Sequence, residues 1–337
     1  MNWYLQSGKQ SDVAISTRVR FSRNINGYKF NLNKQELEEL ESKIKMSIYE
    51  IGYGLRFLYL KDMDEITKQS LVEKNLITPE YIKQRNNTGA ILINDEENIC
   101  ILIGEEDHLK IQIYSSGLEI ENTLNFAIEL DKKIEEVLGY CVSKKYGYLT
   151  SGPNNVGTGL KISVMLHLPV LDKTGNTKKV FQAINNFGVD IKGIYGENGN
   201  IVGGLYQISN KQTLGISENE IAKNIEIITQ KIIDQERKAR KLIANNGIEL
   251  EDEIYRAYGI FANCKKISLE EAIELLSLIK LGVDLGILDE VTDMQVQKLY
   301  LYIKPANMQK YLGEQLGKID REIKRAEVIK QILEDKR

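Results

Sequence analysis

The chain has 337 residues, 42% hydrophobic and 28% charged, and its 45 basic and 48 acidic residues leave a net charge of −3. That material fills one large or two ordinary domains with real cores, and it excludes a collagen-like chain, a Pro-rich linker or a polycation built for nucleic acid. No stretch approaches the ~18 apolar residues of a membrane span, the Met1-Asn2-Trp3-Tyr4 start lacks a signal-peptide layout, and Cys100, Cys141 and Cys264 are too scattered for a disulfide framework or a zinc site. The expectation is a soluble, cytoplasmic protein.

Up to about residue 215 the pattern is mixed. Alternating or short apolar runs predict strands at Ala14–Phe21, Ala90–Asn94, Ile99–Ile103, Leu109–Tyr114, Leu160–Leu168 and Gly204–Ser209. Helical spacing predicts helices at Lys34–Ile51 and Glu119–Val137. The strands follow one another without βαβ alternation, which predicts an α+β class with a mainly antiparallel sheet and helices packed on it. Beyond residue 215 the strand signals stop. Ser217 with Glu220, and Ser268 with Glu271, form capping boxes ahead of apolar residues at helical spacing, and a basic-acidic helix begins at Gly317. The expected organisation is a sheet-containing domain over residues 1–215 and an all-helical domain over 216–337.

Four segments of the first part carry candidate chemistry. Arginine is scarce beside lysine, yet Arg18, Arg20 and Arg23 fall within six positions. Read with period two, Ser16, Arg18, Arg20 and Ser22 share one face of a strand, and Ile15, Thr17, Val19 and Phe21 the other. Two guanidinium groups on one rigid face suit a polyphosphate clamp, although a solvated strand face reads the same way. Next, Ile99–Ile103 delivers Gly104-Glu105-Glu106-Asp107-His108-Leu109-Lys110 to a strand end, where carboxylates act as a base, hold metal or simply make a turn. Third, Ser151-Gly152-Pro153-Asn154-Asn155-Val156-Gly157-Thr158-Gly159 fails the P-loop and dinucleotide patterns but feeds a strand presenting Lys161, Ser163, Met165 and His167. His167 reads as structural. Fourth, Lys192-Gly193-Ile194-Tyr195-Gly196-Glu197 reads as a loop with one cation and one carboxylate, or as an ordinary hairpin tip.

Taken together, these segments resemble, in the same order, the signature segments of the ATP:guanidino phosphotransferases (phosphagen kinases), and among them the bacterial protein-arginine kinase branch. The resemblance implies a catalytic domain over residues 1–215. It implies Glu106 as the base that orients a guanidinium and takes its proton, with Glu197 as the second guanidinium-binding carboxylate. Ser16, Thr17, Arg18, Val19 and Arg20, then His108 and Lys110, then Lys161, Ile162, Ser163, Val164 and Met165, then Lys192, Gly193, Ile194, Tyr195 and Gly196 would surround ATP. Mg2+ would bridge the phosphates, with no protein metal ligand assigned. In the tail, Arg321, Glu322, Arg325 and Ala326 resemble a phosphoarginine-binding motif, with glutamate for the usual aspartate; a salt-bridged surface helix is the plain alternative.

The implied function is a protein-arginine kinase in stress control or Clp-dependent proteolysis. Its partners would be arginine-bearing proteins, a McsA-like activator, Clp ATPase and protease machinery and a second copy in a homodimer, with no direct nucleic-acid or membrane partner. Lys110, Lys161 and Lys192 stand at family arginine positions, Gly152 at a cysteine and Asn75 at a histidine. These departures keep a weakened phosphoarginine-binding adaptor as the alternative, and a free-arginine kinase as a third reading.

Overall fold

The computed structural model describes residues 2–184, 187–195, 201–244 and 247–335. Its strands, in chain order, are β1 (Ala14–Arg23), β2 (Arg56–Tyr59), β3 (Ala90–Ile93), β4 (Ile99–Ile103) and β5 (Leu109–Ser116). They continue with the short pair β6 (Val142–Ser143) and β7 (Gly147–Tyr148), then β8 (Leu160–His167), β9 (Val189–Tyr195) and β10 (Ile201–Asn210). All but β6 and β7 join one antiparallel sheet in the order β2-β3-β4-β5-β1-β8-β10-β9. The expected α+β architecture is therefore present. Residues 192–195, read from the sequence as part of a loop or hairpin tip, instead lie in the edge strand β9 of the sheet.

The helices are α1 (Lys34–Ile51), α2 (Glu65–Glu73), α3 (Pro79–Arg85), α4 (Ile120–Leu138), α5 (Pro169–Lys173), α6 (Thr177–Ile184) and α7 (Glu218–Ala244). The tail adds α8 (Ile248–Asn263), α9 (Leu269–Asp284), α10 (Asp293–Tyr302), α11 (Pro305–Leu312) and α12 (Lys318–Glu334). Among the described residues no helix is long and apolar enough to cross a membrane.

Alternation along β1 builds the layers. Val19 and Phe21 are buried on one face, where Ile111, Ile113, Ile162, Val164 and Ile208 continue the apolar surface under α1, α4 and α7. Ile221, Ile225, Ile228 and Ile232 of α7 lie in that same core. Helix α7, assigned to the helical domain by the sequence, buries its apolar stripe on the sheet. The second core belongs to the tail, around Ile254, Leu276, Leu299 and Ile329. On the opposite face of the sheet, α2 and α3 cover only the β2–β5 half, through Leu71, Tyr81, Ile91 and Leu102.

Arg23 breaks the pattern of its neighbours. Its odd position turns it into the core, where its guanidinium pairs with Asp131 at 2.7 Å and lies 3.6 Å from the centre of the Tyr148 ring. Its Nη1 donates to the Thr158 carbonyl at 2.8 Å, tying the 150–159 loop to the sheet. Gly159 (φ +61°) is needed there, since a Cβ would stand 2.5 Å from that Nη1. The arginine counted with Arg18 and Arg20 is therefore structural. Asp131→Ala should cost about 3–5 kcal/mol by leaving a buried charge unpaired, measured by urea unfolding of the full chain, whereas the double replacement Arg23→Met with Asp131→Leu should cost much less.

Candidate active site

Antiparallel register determines which side chains meet, because residues directly opposite one another point to the same side of the sheet. Three cross-strand rows run over the open face. One aligns Gln112, Arg20 and Lys161; the next aligns Tyr114, Arg18, Ser163, Ser209 and Asp190; the third aligns Ser116, Ser16, Met165, Gln207 and Lys192. Lys110 pairs with Ser22, one step beyond the first row. Arg18, Arg20, Lys110, Lys161 and Lys192 consequently share one face.

These cations repel one another. Burial, and then the neighbouring Arg20, lowers the pKa of both Lys110 and Lys161, while burial and then Arg18 lower that of Arg20. Few groups answer the charge. Glu105 pairs with Lys110, and Asp190 with Lys192 at 3.3 Å. Arg20 Nε is buried without a partner among the described residues. Tyr114 holds Arg18 by a hydrogen bond while its own hydroxyl donates to the Asn75 carbonyl at 2.6 Å. A rigid, under-neutralised cationic face of this kind fits a polyanion.

At one end of the face stands Glu106, with its side chain exposed. A Cβ on Gly152 would collide with Glu106 Oε1, so the carboxylate lies directly against that glycine. The two loops are fastened together from beneath. Asn24 Nδ2 donates to Asp107 Oδ1 at 2.9 Å and to the Leu149 carbonyl at 3.2 Å, and the Ser151 N–H donates to the same Asp107 oxygen at 2.7 Å. Asn24 Oδ1 accepts the His108 N–H at 2.9 Å.

Residues 37–239 match the family model of the ATP:guanido phosphotransferase C-terminal catalytic domain, and residues 247–337 match that of the protein-arginine kinase McsB C-terminal domain. The chain is 41% identical to the protein-arginine kinase of Halothermothrix orenii over 333 residues, which is 98% of this chain and 95% of that one. The chain belongs to the protein-arginine kinases of the ATP:guanido phosphotransferase family. Identity to the protein-arginine kinase of Geobacillus kaustophilus is 38%, covering 98% of this chain and 93% of that one. Among solved structures, the duplicated taurocyamine kinase from Schistosoma mansoni with bound transition state analog components aligns at a TM-score of 0.57 and 26% identity over 67% of this chain. The alignment spans about a third (32%) of that duplicated chain. Lombricine kinase, at 22% identity and a TM-score of 0.57 over 68% of each chain, shares the fold.

The family's motifs fall on this face unevenly. Ser16, Arg18, Arg20, Lys161, Ser163, Met165 and Lys192 point to its open side. Thr17, Val19, Ile162 and Val164 point the other way, each wholly buried in the core, so they contribute backbone and rigidity rather than side chains. His108, expected beside the nucleotide, is placed beneath the loop. Its ring is buried, with Nδ1 accepting the Ile25 N–H at 2.9 Å and Nε2 donating to the Lys29 carbonyl at 2.8 Å. Burial lowers its pKa, and both ring nitrogens are engaged in holding the loop. Gly193 and Ile194 lie within β9, as does the backbone of Tyr195, whereas Gly196 and Glu197 lie outside the described residues.

The tail motif lies on α12. Arg325 is buried, donating from Nε to the Ile303 carbonyl and from Nη1 to the Ile267 carbonyl, both at 2.7 Å. Ala326 is buried beside it, while Arg321 and Glu322 are partly exposed. Arg325 thus faces the interior, while Arg321 lies nearer the surface. Tyr114 and Asn24 were missed. The alternation Lys110, Gln112, Tyr114 signals the first, but nothing local signals the second, whose partners lie more than eighty residues away.

Affinity for a nucleotide should fall as pH rises through the range just below the ordinary lysine value of 10.5, because the lowered Lys110 and Lys161 lose their protons and charge there first. Lys161→Arg should flatten that fall, since guanidinium keeps its proton. Calorimetric titration of ATP at several pH values measures both slopes.

Proposed function

We propose that this chain is an ATP-dependent protein-arginine kinase, transferring the γ-phosphoryl group of ATP to arginine side chains of other proteins. The observation that carries this reading is the single face on which Arg18, Arg20, Lys110 and Lys161 converge, with Glu106 at its end against Gly152. Phosphoryl transfer asks a protein chiefly for charge neutralisation and alignment, and the sheet supplies both. The planar forks of Arg18 and Arg20 suit paired phosphate oxygens, and the lysines act as point charges. Ser22 is six residue steps from Ser16 along β1, about 20 Å of strand, enough for an extended nucleoside triphosphate lying along it.

Glu106 orients the incoming guanidinium by accepting its N–H bonds. As the guanidinium nitrogen bonds to the γ-phosphorus, its proton passes to a Glu106 oxygen. The bond from that phosphorus to the bridging oxygen breaks, and ADP leaves with the electron pair. Asp107 and Asn24 act through the backbone of the two loops, keeping the carboxylate aimed. Glu197 joins this reading by resemblance as the second carboxylate. Mg2+ joins it as the ion that neutralises the phosphates when bound, with Glu105 and Glu106 the described carboxylates whose charge reaches Arg20. A role in stress-related control or Clp-dependent proteolysis, a McsA-like activator, homodimer formation and a phosphoarginine site at Arg321 and Glu322 belong to the same proposal and rest on resemblance alone. The adaptor reading draws on Gly152 and the three lysines, but the buried commitment of Arg325 weakens its binding motif.

Incubation of the full chain with Mg-ATP and an arginine-bearing protein should yield phosphoarginine detectable by mass spectrometry, with free arginine as the control. Glu106→Gln should abolish the product while retaining ATP binding. Arg18→Ala should weaken ATP binding by roughly 1.5–3 kcal/mol, the worth of a charge-assisted hydrogen bond. Near-normal turnover by Glu106→Gln would overturn its role as base.

A further inference from the structure

A target arginine reaches Glu106 on a polypeptide, and that polypeptide must lie over the loops around the carboxylate. Those loops carry a hairpin that has no task in the phosphoryl transfer. Strands β6 and β7 pair Val142 with Tyr148 and Ser143 with Gly147. Ser143 Oγ accepts the N–H groups of Lys145, at 3.2 Å, and of Tyr146, at 3.3 Å, which holds the tip in one turn.

The root of the hairpin is fixed to the site. The Cys141 N–H donates to the Asn24 carbonyl at 2.8 Å, and the Leu149 N–H to the Cys141 carbonyl at 2.9 Å. Asn24 is the residue whose side chain holds Asp107, next to Glu106. Tyr148 exchanges backbone hydrogen bonds with Gly157 at 2.8 and 3.2 Å, and its ring lies on the buried Arg23 guanidinium. The loop between Gly152 and Gly157 is strapped on its other side by Thr213, whose Oγ1 donates to the Asn154 and Val156 carbonyls at 3.0 and 2.8 Å. Tyr146 stands six residue steps before Gly152, which lies against Glu106, so the tip is within about 20 Å of that glycine.

The outward groups of this surface are apolar and cationic. Val142, Tyr146 and Leu214, the residue after Thr213, are each about half exposed. Lys144 and Lys145 are exposed, and neither has an ion-pair partner among the described residues; Lys145 Nζ sits 5.0 Å from the centre of the Tyr146 ring. Glu106 thus offers negative charge to an arginine, while the hairpin offers positive charge to whatever lies beside that arginine.

We propose that the β6–β7 hairpin docks the polypeptide carrying the target arginine, and that Lys144 and Lys145 select segments with aspartate or glutamate within about six residues of it. The inference rests on the kinase reading above. Six residues of extended chain span about 20 Å, enough to reach from the carboxylate to the tip. Exposed ion pairs are weak and screened by salt, so the lysines act on capture of the substrate rather than on the transfer step. Val142 and Tyr146 add the apolar contact that exposed charge lacks.

Phosphoarginine formation by the full chain on three synthetic peptides tests this, each with one arginine flanked on both sides by glutamates, alanines or lysines. Wild type should show its lowest KM for the glutamate peptide at similar kcat, and the difference should shrink as salt rises. Lys144→Glu with Lys145→Glu should raise the KM of the glutamate peptide roughly two- to tenfold and lower that of the lysine peptide, with ATP affinity by calorimetry unchanged. Equal KM values across the peptides in wild type, or the same preference in the double variant, would overturn the proposal and leave a solvated turn. A change of oligomeric state in place of the KM shift would overturn it too, and would assign the surface to a second copy. If no peptide gains phosphoarginine, the kinase reading fails, and fluorescence anisotropy of the labelled glutamate peptide decides the docking by itself. Binding that the double variant loses supports the proposal; equal binding, or none in either, overturns it.

Discussion

Like charges crowded on one rigid surface raise the energy of a folded chain, and Arg18, Arg20, Lys110 and Lys161 are crowded in this way on strands that cannot separate. Burial and mutual repulsion lower the pKa of Arg20 and of both lysines. The opposing term comes from the other side of the same strands, where Val19, Phe21, Ile162 and Val164 are wholly buried; each such side chain contributes roughly 1.5–3 kcal/mol. The ladder couples the two faces, so the apolar side holds the cations in place and a bound polyanion relieves the repulsion. Preorganisation here means that the cost of gathering charge is met in folding, before any phosphate arrives.

Much of this was legible because the decisive pattern has a period of two. The alternation from Ser16 to Ser22 separates the faces of β1, the apolar runs at Ala90, Ile99 and Leu109 mark strands whose pairing follows from short connections, and the run at Leu160 marks a strand whose partners β1 and β10 lie far away in sequence. The helices with long apolar stripes, α1, α4 and α7, were equally visible. What stayed hidden depends on distant partners. Arg23 reads like its neighbours until Asp131 is brought beside it, and His108 reads as a site residue until the Ile25 N–H and Lys29 carbonyl take both ring nitrogens.

Other misses have local causes. Strand β9 carries Gly193 and two charged residues in seven, an edge-strand composition that resembles a loop when its neighbour β10 is unknown. Helices α2 and α3 are too short for their spacing to stand out. At the tail, Arg321 and Arg325 are one turn apart and seem matched on the helix, but Arg325 faces the interior, where its guanidinium bonds the carbonyls of Ile303 and Ile267. Spacing fixes which residues share a face; it does not say what that face meets.

The attachment of the tail to the sheet is the remaining determinant of the site. A wholly buried Glu236 on α7 accepts the Leu171 N–H at 2.9 Å and pairs with Arg240, whose Nη1 reaches Asp284 of α9 at 3.3 Å. Lys280 pairs with Asp284 at 2.8 Å and donates to the Ser11 carbonyl at 3.0 Å, just ahead of β1. Two acids and two bases cancel, so burial leaves no net charge uncompensated. Such a network adds little stability over an apolar contact, but it tolerates only one arrangement of its donors and acceptors. Sliding α9 by one turn would break the Arg240–Asp284 pair and the Lys280 bond to the Ser11 carbonyl together. The network therefore fixes where α9, and α10 packed against it, stand relative to β1 and β8. An apolar seam would allow the tail to settle in several registers, and the cavity that α10 shares with Ser16 and Met165, beside the cationic rows, would then have no constant shape.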